Sequence, residues 1–317
     1  MHNQMDVGAG QRRHPRVARG RRGGRGPTWL VLPAAVLLTL VVLLPTLLGG
    51  YLSLFNVNLG NLSDWVGAPF AGVSNYVDAI VQQTIYGTAT HALVVSLEFS
   101  CLATAVATPI GVLTALSVSH RFHGRAAYRS VFLVPYVIPG VVTATVARAM
   151  FVNGTGLVDR VIAAFGGNAN TYWLLGSKTF WAMLVTEVWA VWPFTYLLVL
   201  AGLSGVGRDL YEASAIDGAG YVAKLRFVVL PQIRSVLLLS VLLSTMFHLA
   251  NFTLPFVMFG NPPPSRVTVL PIDVYYQAFG TQQYGLAAAT AVLMVVVLAV
   301  PAFVYLRLTK LRQAGAS

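Results

Sequence analysis

Six apolar runs, at about 29–54, 88–118, 127–152, 180–203, 233–259 and 285–308, limit what this 317-residue chain can fold into more than any other feature. A helix needs about 20 apolar residues to cross the hydrocarbon of a bilayer, and each run approaches or exceeds that length. None shows the short alternating segments of a transmembrane barrel, so the expected fold is all-α, a polytopic membrane protein with six transmembrane helices. Composition agrees: 56% of residues are hydrophobic and 10% charged, with a mean hydropathy of +0.69, whereas an ordinary soluble domain is about 25% charged.

The cations fix an orientation. Arg12, Arg13, Arg16, Arg19, Arg21, Arg22 and Arg25 precede the first run, and Arg121, Arg125 and Arg129 follow the second. Arg208, Lys224, Arg226 and Arg234 surround the gap between the fourth and fifth, and Arg307, Lys310 and Arg312 follow the sixth. The alternate loops hold Arg160, Lys178 and Arg266, so the positive-inside rule places both termini and the 204–231 loop in the cytoplasm. The net charge of +11 therefore reads as a topology signal and as contact with anionic membrane lipid. The N-terminal basic cluster has no aromatic side chains for base stacking, which argues against a nucleic-acid partner. Residues 1–26 are expected to be a disordered basic tail, not a cleavable signal, 27–310 the transmembrane domain and 311–317 a C-terminal tail. Cys101 is the sole cysteine, which excludes an intramolecular disulfide or a cysteine metal cluster.

No stretch fits the phosphate-binding pattern GxxxxGK[ST], and the HExxH, GxSxG and paired-cysteine patterns are absent. The chain is thus expected not to be an enzyme and to carry no cofactor or metal; any ATP and Mg belong to a partner subunit. The informative stretch is EASAIDGAGYVAKLRFVVLP, Glu212 to Pro231, between the fourth and fifth runs. Asp209 followed by Glu212 is a helix-start signal, and Gly218 with Gly220 is a stop. The helix between them has about eight residues, about 12 Å, too short to span, and lies on the cytoplasmic side. Ala213, Ser214 and Ala215 let another chain approach closely, while Glu212 and Asp217 offer charge to a basic partner. An ordinary interfacial loop helix satisfies the same pattern.

Polar residues inside membrane helices are costly and face a bundle interior or a cavity. In the fifth run Ser244, Phe247, His248 and Asn251 share one helical face, which Ser240 extends; in the fourth, Glu187, Val191 and Phe194 share another beside Trp189, Trp192 and Tyr196. Rings for stacking on a sugar's C–H face, with amide, hydroxyl and carboxylate partners, suit a carbohydrate pocket. The alternative is that the polar groups join helices and the rings fill gaps. Glu98 and Arg148 are expected to form a structural ion pair, with His91 on the Glu98 face. Trp173 and Trp181 are expected in an interfacial belt.

The 212–231 stretch resembles the EAA loop of binding-protein-dependent ABC transporter permeases, with Glu212, Ala213, Asp217, Gly218, Ala219, Leu230 and Pro231 matching and Ser214 in place of the third EAA residue. Phe70-Ala-Gly-Val-Ser-Asn-Tyr76, the segment from Arg129 to Pro139, Trp192-Pro-Phe and Leu200-Ala-Gly-Leu203 resemble the carbohydrate branch, the maltose and glycerol-3-phosphate type; Gly260-Asn-Pro-Pro-Pro264 departs from it. The resemblance implies the ABC importer permease fold, a five-helix core plus an N-terminal helix, in a bacterial cell membrane. It also implies ABC ATPase subunits docked at Glu212, Ala213, Ser214, Asp217, Gly218, Leu230 and Pro231, a second, non-identical permease and an extracytoplasmic binding protein. A sugar pocket is implied at Val191, Phe194, Ser244, Phe247, His248 and Asn251. The competing expectations are an ion-coupled secondary transporter using Glu98, Glu187 or His248, and an intramembrane enzyme with Glu and His as acid and base.

Overall fold

The computed structural model describes residues 31–81, 88–120, 122–168 and 170–314, without the side chains of Arg208 and of residues past 309. The basic segment 1–26, Arg121 and residues 315–317 lie outside the described residues. The chain divides into two units, Met1–Thr46 and Leu47–Ser317. Helix α1 (Leu32–Leu52) carries a π-helical turn at Thr39–Leu43 just before Pro45, whose missing N–H prevents a regular turn.

Within 47–317 the elements, in chain order, are α2 (Ser74–Val81), α3 (Ala89–Ser117), α4 (Arg125–Val137), α5 (Gly140–Met150), α6 (Leu157–Ala164), α7 (Thr179–Ser204), α8 (Arg208–Ile216), α9 (Tyr221–Leu249), α10 (Thr253–Phe259), α11 (Leu270–Tyr275) and α12 (Tyr284–Ala314). Among the described residues five helices, α1, α3, α7, α9 and α12, are long and apolar enough to cross a membrane alone, and the α4–α5 pair makes a sixth candidate. The helical all-α reading holds, but two runs are broken. The expected straight helix over 127–152 bends by 86° between α4 and α5, because Ile138, preceding Pro139, is forced into extended backbone. The expected helix over 233–259 ends at Leu249 and resumes as α10.

The core is the contact of α3 with α7, joined by α9 across both. Small buried residues, Ala92, Ser96, Ala103, Ala107, Gly111 and Ala115, form a stripe down α3 that lets α7 approach. At Gly111 a Cβ would stand 2.7 Å from Thr195 Cβ and 2.8 Å from the Trp192 carbonyl, so only glycine permits this crossing. Toward one end Phe99, Phe180, Met183 and Met258 pack together, and toward the other Tyr196, Val199 and Ile233. The Phe70–Tyr76 motif is structural: Asn75 Nδ2 donates to the Ser53 and Phe55 carbonyls at 2.8 and 2.9 Å, and Tyr76 shares a 2.6 Å hydrogen bond with Ser53 Oγ.

The loop between α5 and α7 folds around Asp159, which is buried and accepts from Gly154 N–H at 2.8 Å, Trp173 Nε1 at 2.8 Å and Thr171 N–H at 3.4 Å. Trp173 is thus an internal anchor, not a belt residue, whereas Trp181 is 52% exposed. The Gly154 bond does most to lower the Asp159 pKa below its ordinary 3.8; burial opposes it, and Trp173 and Thr171 add to it. A depressed folded-state pKa contributes stability above the ordinary value that is lost as pH falls through the lowered one. Asp159→Asn should therefore make the 151–175 loop more sensitive to limited proteolysis at neutral pH, and the wild type should converge on the variant's cleavage rate only below about pH 4. Equal cleavage of both at pH 7 would remove this anchoring role.

Candidate functional site

The bend between α4 and α5 and the break between α9 and α10 face each other, and a cavity of about 330 Å³ lies between them. Tyr136 and Ile138 from the bend, Glu187 and Val191 from α7, and Phe247 and Asn251 from the end of α9 line it. Phe247 is 52% exposed, and its ring meets Phe194 at 5.4 Å, which in turn meets Tyr136 at 6.1 Å. Two aromatic rings, Tyr136 and Phe247, therefore make one edge of the site, and Phe194, expected in the pocket, instead packs between them without lining the cavity.

Behind the rings sits a buried polar cluster. Glu187 accepts from His248 Nδ1 at 2.8 Å through Oε1 and from Asn251 Nδ2 at 2.7 Å through Oε2. Asn251 Oδ1 accepts from Leu254 N–H at 3.1 Å and so caps α10. Asn251 lies past the end of α9, which breaks the single face expected of Ser244, Phe247, His248 and Asn251. Ser244 and His248 turn into the protein, 1% exposed each, and His248 packs edge-on to Phe99 at 6.2 Å; Phe247 and Asn251 turn to the cavity. Ser244 is accordingly not a cavity residue, and Ser240 is also fully buried, donating to the Leu237 carbonyl. With both Glu187 oxygens engaged by protein, Asn251 keeps one amide hydrogen for a ligand.

The Glu98–Arg148 ion pair does not form. Arg148 donates to the Val257 carbonyl at 3.4 Å, and Glu98 lines a different cavity. His91 does share the Glu98 cavity.

At the other end of α7, α8 has nine residues and starts from Gly207 without a side-chain cap. Asp209 is therefore not the cap but a first-turn acid, favourable to the helix dipole. Gly218, at φ +72°, ends the helix in a Schellman motif: Ala219 N–H bonds the Ser214 carbonyl and Gly218 N–H the Ala215 carbonyl. Glu212, Ala213, Asp217 and Gly218 are exposed. Ser214 is buried, and its hydroxyl bonds the Tyr211 carbonyl at 2.8 Å, so the substitution of the third EAA residue is satisfied within the helix. Leu230 and Pro231 are not in a loop: α9 begins at Tyr221, and a π-helical stretch at Lys224–Val229 absorbs the N–H that Pro231 lacks. Ile216, the last residue of α8, is 88% exposed, an apolar contact that attention to the small residues overlooked.

Residues 107–312 match the family described as binding-protein-dependent transport system inner membrane component. The trehalose/maltose transport system permease protein of Thermococcus litoralis is 25% identical over 284 residues, which cover 90% of this chain and 93% of that protein. The diacetylchitobiose uptake system permease protein of Streptomyces coelicolor is 29% identical over 299 residues, 92% and 88% of the two chains. A chain from the crystal structure of a bacterial ABC transporter involved in the import of the acidic polysaccharide alginate superposes with a TM-score of 0.75 at 18% identity, covering 89% of this chain and 96% of its own. A chain from the crystal structure of a bacterial alginate ABC transporter in complex with alginate pentasaccharide-bound periplasmic protein gives 0.72, also at 18% identity, over 88% and 93% of the two chains.

Proposed function

The chain belongs to the binding-protein-dependent transport system inner membrane component family, and on that premise we propose that it is the permease subunit of a bacterial ABC importer for a sugar or sugar derivative. The observation that carries the sugar reading is the cavity in which the rings of Tyr136 and Phe247 stand beside the Asn251 amide. A pyranose offers an apolar C–H face to such rings and hydroxyls to such an amide. The names of the trehalose/maltose and diacetylchitobiose relatives support the same substrate class.

In this reading a separate ATPase subunit, holding ATP and Mg, docks on α8. A second, non-identical permease completes the pathway, and an extracytoplasmic binding protein delivers the sugar, as the alginate transporter's periplasmic protein suggests. Both termini and α8 face the cytoplasm. α8 and α9 are joined by four residues, so movement of α8 with the ATPase passes into α9 as a rigid displacement and reaches the Phe247–Asn251 end. Glu187 and His248 act on the sugar through Asn251, which they position.

ATP-dependent sugar uptake by proteoliposomes holding the assembled transporter and its binding protein tests this reading. Uptake persisting without ATPase subunits and driven by an ion gradient alone would overturn it in favour of a secondary transporter. Asn251→Ser keeps a cap for α10 while removing the amide, and Phe247→Ala removes a half-exposed ring at little expense to packing. Each should raise the uptake KM by about tenfold, the equivalent of one lost hydrogen bond or stacking contact, with assembly intact. Unchanged kinetics would take that residue out of the pocket.

A further inference from the structure

At the end of the bundle away from α8, a cavity of about 600 Å³ opens between α3, the start of α7 and the turn at Ser265–Val267. One face of α3 supplies His91, Val94, Glu98 and Leu102; Trp181 and Arg266 stand across from it. Glu98 and Arg266 are both exposed, and none of the hydrogen bonds or ion pairs among the described residues engages either charge. The wall that carries Arg266 is nevertheless fixed. His91 Nε2 donates to the Ser265 carbonyl at 3.0 Å, Val267 is fully buried, and Leu270 N–H donates to Ser96 Oγ at 2.8 Å. The cavity thus presents a carboxylate and a guanidinium, unpaired with each other, above apolar side chains.

A charge such as Glu98 on a membrane helix is costly without a counter-charge. Trp181, in the first turn of α7 and half-exposed, is the residue type that settles where hydrocarbon meets headgroups. We propose that this cavity binds a zwitterionic aminophospholipid of the phosphatidylethanolamine class, with its ammonium on Glu98, its phosphate on Arg266 and an acyl chain along Val94 and Leu102. A purely anionic lipid would satisfy Arg266 but place a second negative charge near Glu98. A choline headgroup has no N–H to donate to the carboxylate. A helix of the second permease would have to supply both a cation and an anion at matching depths. The site is independent of the sugar cavity and of what the transporter carries.

The test uses the assembled transporter in nanodiscs of phosphatidylethanolamine and phosphatidylglycerol at 3:1, then native mass spectrometry after stepwise delipidation. Wild type should retain one phosphatidylethanolamine preferentially, and Glu98→Gln and Arg266→Gln should each lower that retained fraction by about tenfold, the worth of one charge-assisted hydrogen bond. Glu98→Gln keeps side-chain size and Arg266→Gln shortens an exposed side chain, and an unchanged gel-filtration profile and uptake rate show that both fold. Equal retention in both variants, or equal retention of phosphatidylglycerol, overturns the proposal. Soluble phosphoethanolamine, which has the headgroup without chains, should fail to displace the lipid; displacement would reassign the cavity to a free zwitterion. A Glu98→Cys variant, made with Cys101→Ser, that cross-links to the second permease in the lipid-filled nanodisc would give the cavity to that subunit instead.

Discussion

An Ile216→Asp chain should insert and assemble with its partner permease, yet lose its ATPase subunit on washing and lose ATP-driven uptake by at least about a hundredfold. Ile216 is 88% exposed at the tip of α8, so its replacement removes little from the chain's own packing. A large apolar side chain held in water at the end of a short helix gains about 2 kcal/mol when a partner covers it. An aspartate there forgoes that gain and brings a carboxylate into the same contact, which costs more than about 1 kcal/mol further unless it finds a cation. Together these exceed the roughly 2.8 kcal/mol that a hundredfold loss requires. Glu212→Ala, which removes an exposed carboxylate with no partner among the described residues, should have a smaller effect in the same direction, about tenfold. Ser214→Ala should be close to neutral, since that hydroxyl only bonds its own helix. The measurement is co-purification of the ATPase subunit together with ATP hydrolysis stimulated by the sugar-loaded binding protein. Full retention of the ATPase by Ile216→Asp would mean that α8 does not dock by this tip.

The same helix shows how far sequence reasoning reaches. Length and apolarity identified the spans because the cost of bringing polar groups into hydrocarbon acts on each segment by itself. The stop at Gly218 was also local, since a left-handed C-cap depends on one residue. The 86° bend was missed, because apolarity alone made 127–152 one helix, although Pro139 carries a local signal for it: the residue before a proline is pushed to extended backbone. What could not be read was azimuth. Glu98 and Arg148 have suitable depths for an ion pair, but which side of α3 faces which side of α5 is fixed by the small-residue stripe on α3 and its seat on α7, a property of two helices at once. The same limit joined Asn251 to the Ser244–His248 face, because helical spacing assumes a helix that here stops at Leu249. Glu187, His248 and Asn251 were singled out as polar residues in apolar runs, but their mutual bonding needed the packing of α7 against α9.

That bonding makes Glu187→Ala the other large expected effect. The substitution leaves the buried His248 Nδ1 without its acceptor and frees Asn251 Nδ2, and losing the carboxylate that two donors share costs roughly 3 kcal/mol of stability. Glu187→Gln should be much milder. Its Oε1 can still accept from Asn251 Nδ2, and its amide can donate to His248 Nδ1 once the imidazole proton moves to Nε2, an atom with no hydrogen-bond partner among the described residues. Thermal unfolding of the purified transporter, read alongside the uptake KM, separates the two roles open to Glu187. If it positions Asn251, the alanine variant falls in stability and its KM rises, whereas Glu187→Leu with His248→Leu recovers most of the stability because no buried imidazole is left without its acceptor and the part-buried Asn251 amide can turn to the cavity, yet still shows the raised KM because Asn251 has lost its anchor. If Glu187 instead touches the sugar, the alanine variant keeps its stability and only KM changes. The geometry favours the first outcome, since both carboxylate oxygens are already occupied by the protein.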